Sequence, residues 1–182
     1  MVKSDKKSQK KRKLRIGILG GTFDPPHKGH LKISIEAKKK FKLDKVVWII
    51  TKKNPFKGKS FINLKKRIFL SKKMVINQKF MKVMYLENKI KSNKTISLLK
   101  HLKKKNSEIS LFFIMGADNL INFHKWEKWR IISDMCQILV FDRSKYKAKS
   151  KKSLAYKTLK KRGLRYIDFK KVDISSSKIR KI

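Results

Sequence analysis

Six short runs rich in apolar residues, separated by segments of helical character, constrain this chain more than any other feature. The runs lie at 14–20, 46–51, 80–87, 109–115, 137–141 and 165–169. The runs at 46–51 (VVWIIT) and 109–115 (ISLFFIM) are continuous, the pattern of strands covered on both faces. Between the strands, 27–41 carries Leu31, Ile35 and Phe41 as apolar positions of a helix. Asn63 is placed to cap a helix to about residue 77, with Leu64, Ile68 and Val75 on one side. Thr95 is placed to cap another, with Ile96, Leu99 and Leu102. Two short helices at 117–123 and 126–134, and one at 153–162, complete the pattern. Strands alternating with helices predict an α/β fold, a doubly wound parallel sheet with helices on both faces. The chain of 182 residues suffices for one domain, expected over 14–182. Residues 1–13 have almost nothing to bury and predict a disordered basic tail. The Lys/Ser-rich stretch 143–153 predicts an exposed, mobile segment.

The net charge of +40 raises nucleic-acid binding first. Arginine, however, supplies only eight of the 52 basic residues, and lysine is scattered over almost every helix instead of forming one stripe. Specific recognition of phosphates and bases favours arginine forks. No aromatic RNA-binding strand, GXXG clamp or zinc-finger spacing is present. The charge therefore reads as a lysine-rich solvated surface that steers anionic substrates, with no specific nucleic-acid partner expected. No apolar run reaches the length of a membrane span, so no membrane partner is expected. The single cysteine, Cys136, cannot form an internal disulfide, and a cytoplasmic location is expected. Self-association is left open, and a homo-oligomer is compatible with the sequence.

The chemistry concentrates in GGTFDPPHKGH at residues 20–30, after the first strand and at the start of the first helix. A doubly wound sheet places its ligand there. Gly20 and Gly21 permit close backbone approach, and amides at a helix start hold phosphate oxygens. His27 and His30 are three residues apart and share a helix face. Gly29 keeps that face low. The segment is neither a P-loop nor GxGxxG. Elsewhere, Ser175–Ser177 with Lys178 and Arg180 reads as a phosphate cradle or as a capped terminal helix. Asp118 and Asn119 read as ribose contacts or helix caps. Trp126 and Trp129 read first as core aromatics. Arg67 is either a buried ion pair or a substrate contact. His101 reads as a surface residue and His124 as a packing residue.

The 20–30 segment resembles the nucleotide-binding motif of the HxGH nucleotidyltransferases, with His27 and His30 in the two histidine positions. Three further segments resemble the bacterial nicotinate-nucleotide adenylyltransferases: NPFK at 54–57, MGADNLINFHKWEKWRII at 115–132 and DISSSKIR at 173–180. The resemblance runs through nearly the whole chain after residue 14 and implies a Rossmann-like fold. It implies adenylyl transfer from ATP to nicotinate mononucleotide, with nicotinamide mononucleotide or phosphopantetheine as alternative acceptors. It assigns catalysis to His27 and His30. ATP binding falls to Gly20, Gly21, Thr22, Phe23, Gly29, Gly116, Asp118, Ser176, Ser177 and Arg180. Lys57, Thr95 and Trp126 fall at the mononucleotide, with Trp126 stacked on the pyridine ring. Mg²⁺ is expected to arrive on the ATP phosphates without a dedicated metal site.

Overall fold

The computed structural model describes residues 12–53, 58, 60–143, 145–169 and 176–179. It contains strands β1 (Leu14–Gly21), β2 (Lys45–Ile50), β3 (Met81–Met84), β4 (Ile109–Gly116), β5 (Gln137–Phe141) and β6 (Leu164–Ile167). They form one sheet in the order β3-β2-β1-β4-β5-β6, and every neighbouring pair is parallel. Helices α1 (Lys28–Phe41), α2 (Leu64–Val75), α3 (Glu87–Ile90), α4 (Thr95–Lys105), α5 (Ala117–Ile121), α6 (Trp129–Met135), α7 (Lys147–Lys152), α8 (Leu154–Leu159) and α9 (Ser176–Ile179) connect or follow the strands. The order reverses between β1 and β4, and the carboxyl ends of those strands flank the crevice where such sheets bind ligands.

Strand alternation sends neighbouring residues to opposite faces. Ile18 and Phe113 enter one core with Leu99, Leu120, Phe123 and Ile132 from α4, α5, the following turn and α6. Leu19, Phe112 and Ile114 enter the other with Ala37, Trp48 and Val75, beneath α1 and α2. Both faces are thus covered, as the unbroken apolar runs require. Among the described residues no helix is long and apolar enough to cross a membrane. At the amino end, Arg12 pairs with Asp44 at 2.5 Å; residues 1–11 of the expected tail lie outside the described residues.

Three local expectations need correction. The third strand ends at Met84 instead of reaching residue 87: Glu87 opens α3, and its carboxylate accepts the Lys52 amide at 3.1 Å. Thr95 is the first residue of α4 and not its cap; Lys94 occupies the cap, with its amide bonded to Ser92 Oγ at 3.1 Å. The stretch expected to be exposed and mobile contains α7, held by the fully buried Ser150. Its hydroxyl lies 3.1 Å from Tyr166 Oη, and Lys147 reaches Asp168 at 2.5 Å.

Candidate active site

The chain leaves β1 at Gly21 and passes through Phe23, whose φ of 48° is unusual for a bulky residue. That conformation persists because neighbours hold it. Phe23 is buried and stacks on Trp48 with ring centroids 4.8 Å apart. The Asp24 carboxylate accepts the amides of Phe61 at 2.7 Å and Ile62 at 2.8 Å, tying the motif to the segment before α2.

His27 then caps α1. Its Nδ1 accepts the Gly29 amide at 3.1 Å, while His30 Nδ1 accepts the His27 amide at 3.2 Å. This is a reciprocal capping box, usually assembled from a hydroxyl and a carboxylate or amide. Built from imidazoles, it has a chemical consequence. Both Nδ1 lone pairs are committed, so either ring, when neutral, carries its proton on Nε2. The rings stack 3.7 Å apart, and His30 is backed by Phe23 at 4.7 Å and Trp48 at 5.9 Å. Trp48 Nε1 donates to Ser34 Oγ, which donates to the His30 carbonyl, both at 2.8 Å. Burial, then the nearby Arg143 charge, push the His27 pKa down to about 4, so this ring is neutral at pH 7.

Glycines at 20 and 21 are not demanded by the protein itself. A Cβ would meet nothing closer than Phe113 at 3.6 Å or Phe23 at 3.5 Å, and neither residue has positive φ. Gly29 has its amide engaged in the cap by His27 Nδ1.

Arg67 resolves as a backbone clamp. It is buried, and its guanidinium donates to the carbonyls of Ile62 (2.9 Å), Thr22 (2.5 Å), Thr51 (2.8 Å) and Lys52 (3.0 Å). It stitches the motif, the end of β2 and the entry to α2 together. Burial lowers its pKa, against the raising effect of the Asp24 and Glu87 charges.

On the other side of the switch point, Gly116 precedes α5 and Asp118 lies in its first turn. Asp118 caps nothing by a side-chain bond; its Oδ2 pairs with Arg143 Nη1 at 3.0 Å, and its Oδ1 is buried without a hydrogen-bond partner among the described residues. A Cβ on Gly116 would stand 2.5 Å from that Oδ1, so only glycine lets the carboxylate fold back.

Trp126 is half-buried, edge-on to Phe113 (5.9 Å) and Phe123 (5.2 Å), whereas Trp129 is buried in the core. Lys94 pairs with Glu127 at 2.6 Å, which sets the start of α4, and hence half-buried Thr95, beside the Trp126 turn. Ser176 Oγ donates to the Pro25 carbonyl at 2.9 Å, bringing α9 onto the motif. Lys57, Arg180 and the side chain of Ser177 lie outside the described residues. His101 is half-buried on α4; His124 is half-buried too, its Nδ1 without a partner among the described residues. Sequence reasoning missed two groups of the site. Arg143 fell inside the segment read as mobile, although its place just after β5, at the carboxyl edge, was a signal. Asp24 was read only as part of the motif, and its role in gripping the 61–62 backbone has no local sequence signal.

The fold and the paired-histidine cap define a class: the family model described as cytidylyltransferase-like matches residues 18–182. A Pelagibacter ubique protein named "Probable nicotinate-nucleotide adenylyltransferase" is 54% identical over 182 residues, covering all of both chains. A Bradyrhizobium sp. (strain ORS 278) protein of the same name is 37% identical over 131 residues, 71% of this chain and 68% of that one. The chain belongs to the nicotinate-nucleotide adenylyltransferase family. In fold it resembles the Plasmodium falciparum nicotinic acid mononucleotide adenylyltransferase complexed with NaAD, with a TM-score of 0.71, 20% identity and coverage of 92% of this chain and 82% of that one.

Proposed function

We propose that this chain transfers the adenylyl group of ATP to nicotinate mononucleotide, forming nicotinate adenine dinucleotide and releasing pyrophosphate. The observation that carries the mechanism is the histidine capping box at the start of α1, which engages both Nδ1 atoms and puts the proton of a neutral ring on Nε2, the proposed phosphate donor. A phosphate monoester with a second pKa of about 6 is ionised near neutral pH and is already a nucleophile. No general base is needed. A phosphate oxygen of the mononucleotide attacks the α-phosphorus of ATP in line, a new P–O bond forms, and the bond to the bridging oxygen of pyrophosphate breaks.

The protein then has to position the reactants and neutralise developing charge. His30 and His27 donate to the ATP phosphates as charge moves onto the leaving group. Gly20 and Gly21, with no Cβ, admit the nucleotide close to the backbone, beside Thr22 and Phe23. Gly116 and Asp118 take the ribose, and Ser176, Ser177 and Arg180 take the phosphates from the α9 side. Lys57, Thr95 and Trp126 take the mononucleotide, with the indole against the pyridine ring. Among the described residues no group of three or more His, Cys, Asp or Glu side chains converges on a metal position. Mg²⁺ carried on the ATP phosphates would supply additional charge neutralisation.

The test is pyrophosphate release from ATP with a panel of acceptors. Nicotinate mononucleotide is expected to give the highest kcat/KM. A higher value for nicotinamide mononucleotide or phosphopantetheine would replace the acceptor while leaving adenylyl transfer intact.

A further inference from the structure

We propose that Arg143 is a positioning residue for recognition of the ATP ribose. It pins one oxygen of Asp118, so that the other, folded over Gly116, is presented to a ribose hydroxyl. The inference rests on the reading of Asp118 as a ribose contact.

The pairing is a product of the sheet. Strand β4 pairs with β5, with Gly116 opposite Phe141, so the residues that leave these two ends emerge side by side. Arg143 Nη1 then meets Asp118 Oδ2 at 3.0 Å. Asp118 Oδ1 is buried and has no hydrogen-bond partner among the described residues. A buried carboxylate oxygen without a donor is costly and calls for a missing partner. The geometry leaves that oxygen little freedom: a Cβ at Gly116 would lie 2.5 Å from it and 3.2 Å from Arg143 Cδ. The bare glycine lets acid and guanidinium close down together. On its other side the guanidinium carbon lies 5.9 Å from the centroid of the Tyr146 ring. Its planar fork suits a fixed carboxylate better than the mobile ammonium of lysine. The same charge is felt at His27, so one side chain links the proposed ribose contact to the phosphate-facing histidines.

Calorimetric titration of the full chain with α,β-methylene ATP and with its 2′,3′-dideoxy counterpart tests this without regard to the acceptor. The wild-type protein is expected to bind the ribose form about tenfold or more tightly, the range for a hydrogen bond to a charged group. Arg143→Gln is expected to reduce that ratio to about threefold or less while changing the dideoxy affinity little. Arg143→Lys is expected to fall between, and if the Gln variant fails to fold the Lys variant carries the test. Asp118→Asn is expected to remove the preference, with no further loss on adding Arg143→Gln, because the two act through one contact. A preference that survives in Arg143→Gln, or equal weakening of both nucleotides, overturns the proposal. A wild-type protein with no preference overturns the ribose reading beneath it as well. Absence of turnover with nicotinate mononucleotide bears on the proposed acceptor alone.

Discussion

The two strand ends that meet at the switch point are built by different means. At the β1 end, the site is made of short-range backbone bonds: His27 to Gly29, His30 to His27, and Ser34 to the His30 carbonyl. At the β4–β5 end, the central contact is a single ion pair between Asp118 and Arg143, side chains 18% and 37% exposed. A capped helix start with aromatic rings behind it holds its donors rigidly. A partly exposed ion pair has modest net stability and can be rearranged by a ligand. Under the proposed function, the contrast would give pre-organised transition-state contacts to the first edge and ground-state nucleotide recognition to the second.

The largest expected effect separates catalysis from capping at His30. Glutamine at the third helical position can still accept the His27 amide, as in an ordinary capping box. His30→Gln is therefore expected to keep its melting temperature within a few degrees while kcat falls about 10²–10³-fold, the usual loss for one charge-stabilising donor. A stable variant with wild-type turnover would remove His30 from the mechanism and erase the functional contrast between the two edges.

Arg67 is expected to show the reverse pattern. Arg67→Met withdraws the donors from four carbonyls that the fold holds in place. Unpaired buried acceptors cost about 1–3 kcal/mol each before relaxation, so a loss of at least about 3 kcal/mol in urea unfolding is expected. Activity per folded molecule should fall less than in His30→Gln. If stability were unchanged, the rigidity ascribed to the first edge would have to come from elsewhere.

A smaller effect is expected in the acid limb of stability. His27 titrates near 4 when folded and near its ordinary value of about 6.5 when unfolded. As pH falls through that window the unfolded chain takes up the proton first, so the stabilisation present above pH 6.5 is lost toward pH 4. Asparagine is a strong cap without this titration. The melting temperature of His27→Asn is expected to depend less steeply on pH across that window, by a few degrees in total. An unchanged slope would show that His27 is not held neutral by burial and by Arg143.

The same contrast explains what was readable in the sequence. The doubly wound sheet was legible because unbroken apolar runs imply strands covered on both faces, and 137–141 matches β5 residue for residue. The histidine pair was legible because capping and proximity act over three residues. Arg143 was not, because its partner is set by the β4–β5 pairing; its place just after β5 was the one local signal, in a composition otherwise that of a solvated loop. Arg67 was undecided, and Asp24 had no role of its own, for a related reason: their partners are mostly backbone groups far away in sequence, which side-chain patterns do not encode. Helix α7 was missed because its lysine-rich sequence hides one buried serine, whose contact to Tyr166 is again long-range.

The smallest effect concerns Trp126, outside both edges. Its edge-on contacts with Phe113 and Phe123 show that part of the indole belongs to the core, while its half-buried state leaves part of it accessible. Trp126→Ala changes both and is expected to raise the KM for the mononucleotide by a factor corresponding to about 1–3 kcal/mol of lost stacking. Trp126→Phe separates them. Phenylalanine keeps an aromatic face for the pyridine ring but is smaller than indole, so its KM for the mononucleotide is expected to rise only about threefold or less, consistent with most of the aromatic contact being retained. Its KM for ATP should stay at the wild-type value, because ATP is assigned to the two strand edges. If Trp126→Phe weakened ATP and mononucleotide alike, or lowered the melting temperature with no change in either KM, the indole would be a packing residue. The pyridine ring would then need a different platform, and half-buried Thr95 beside the same turn would be the first place to look.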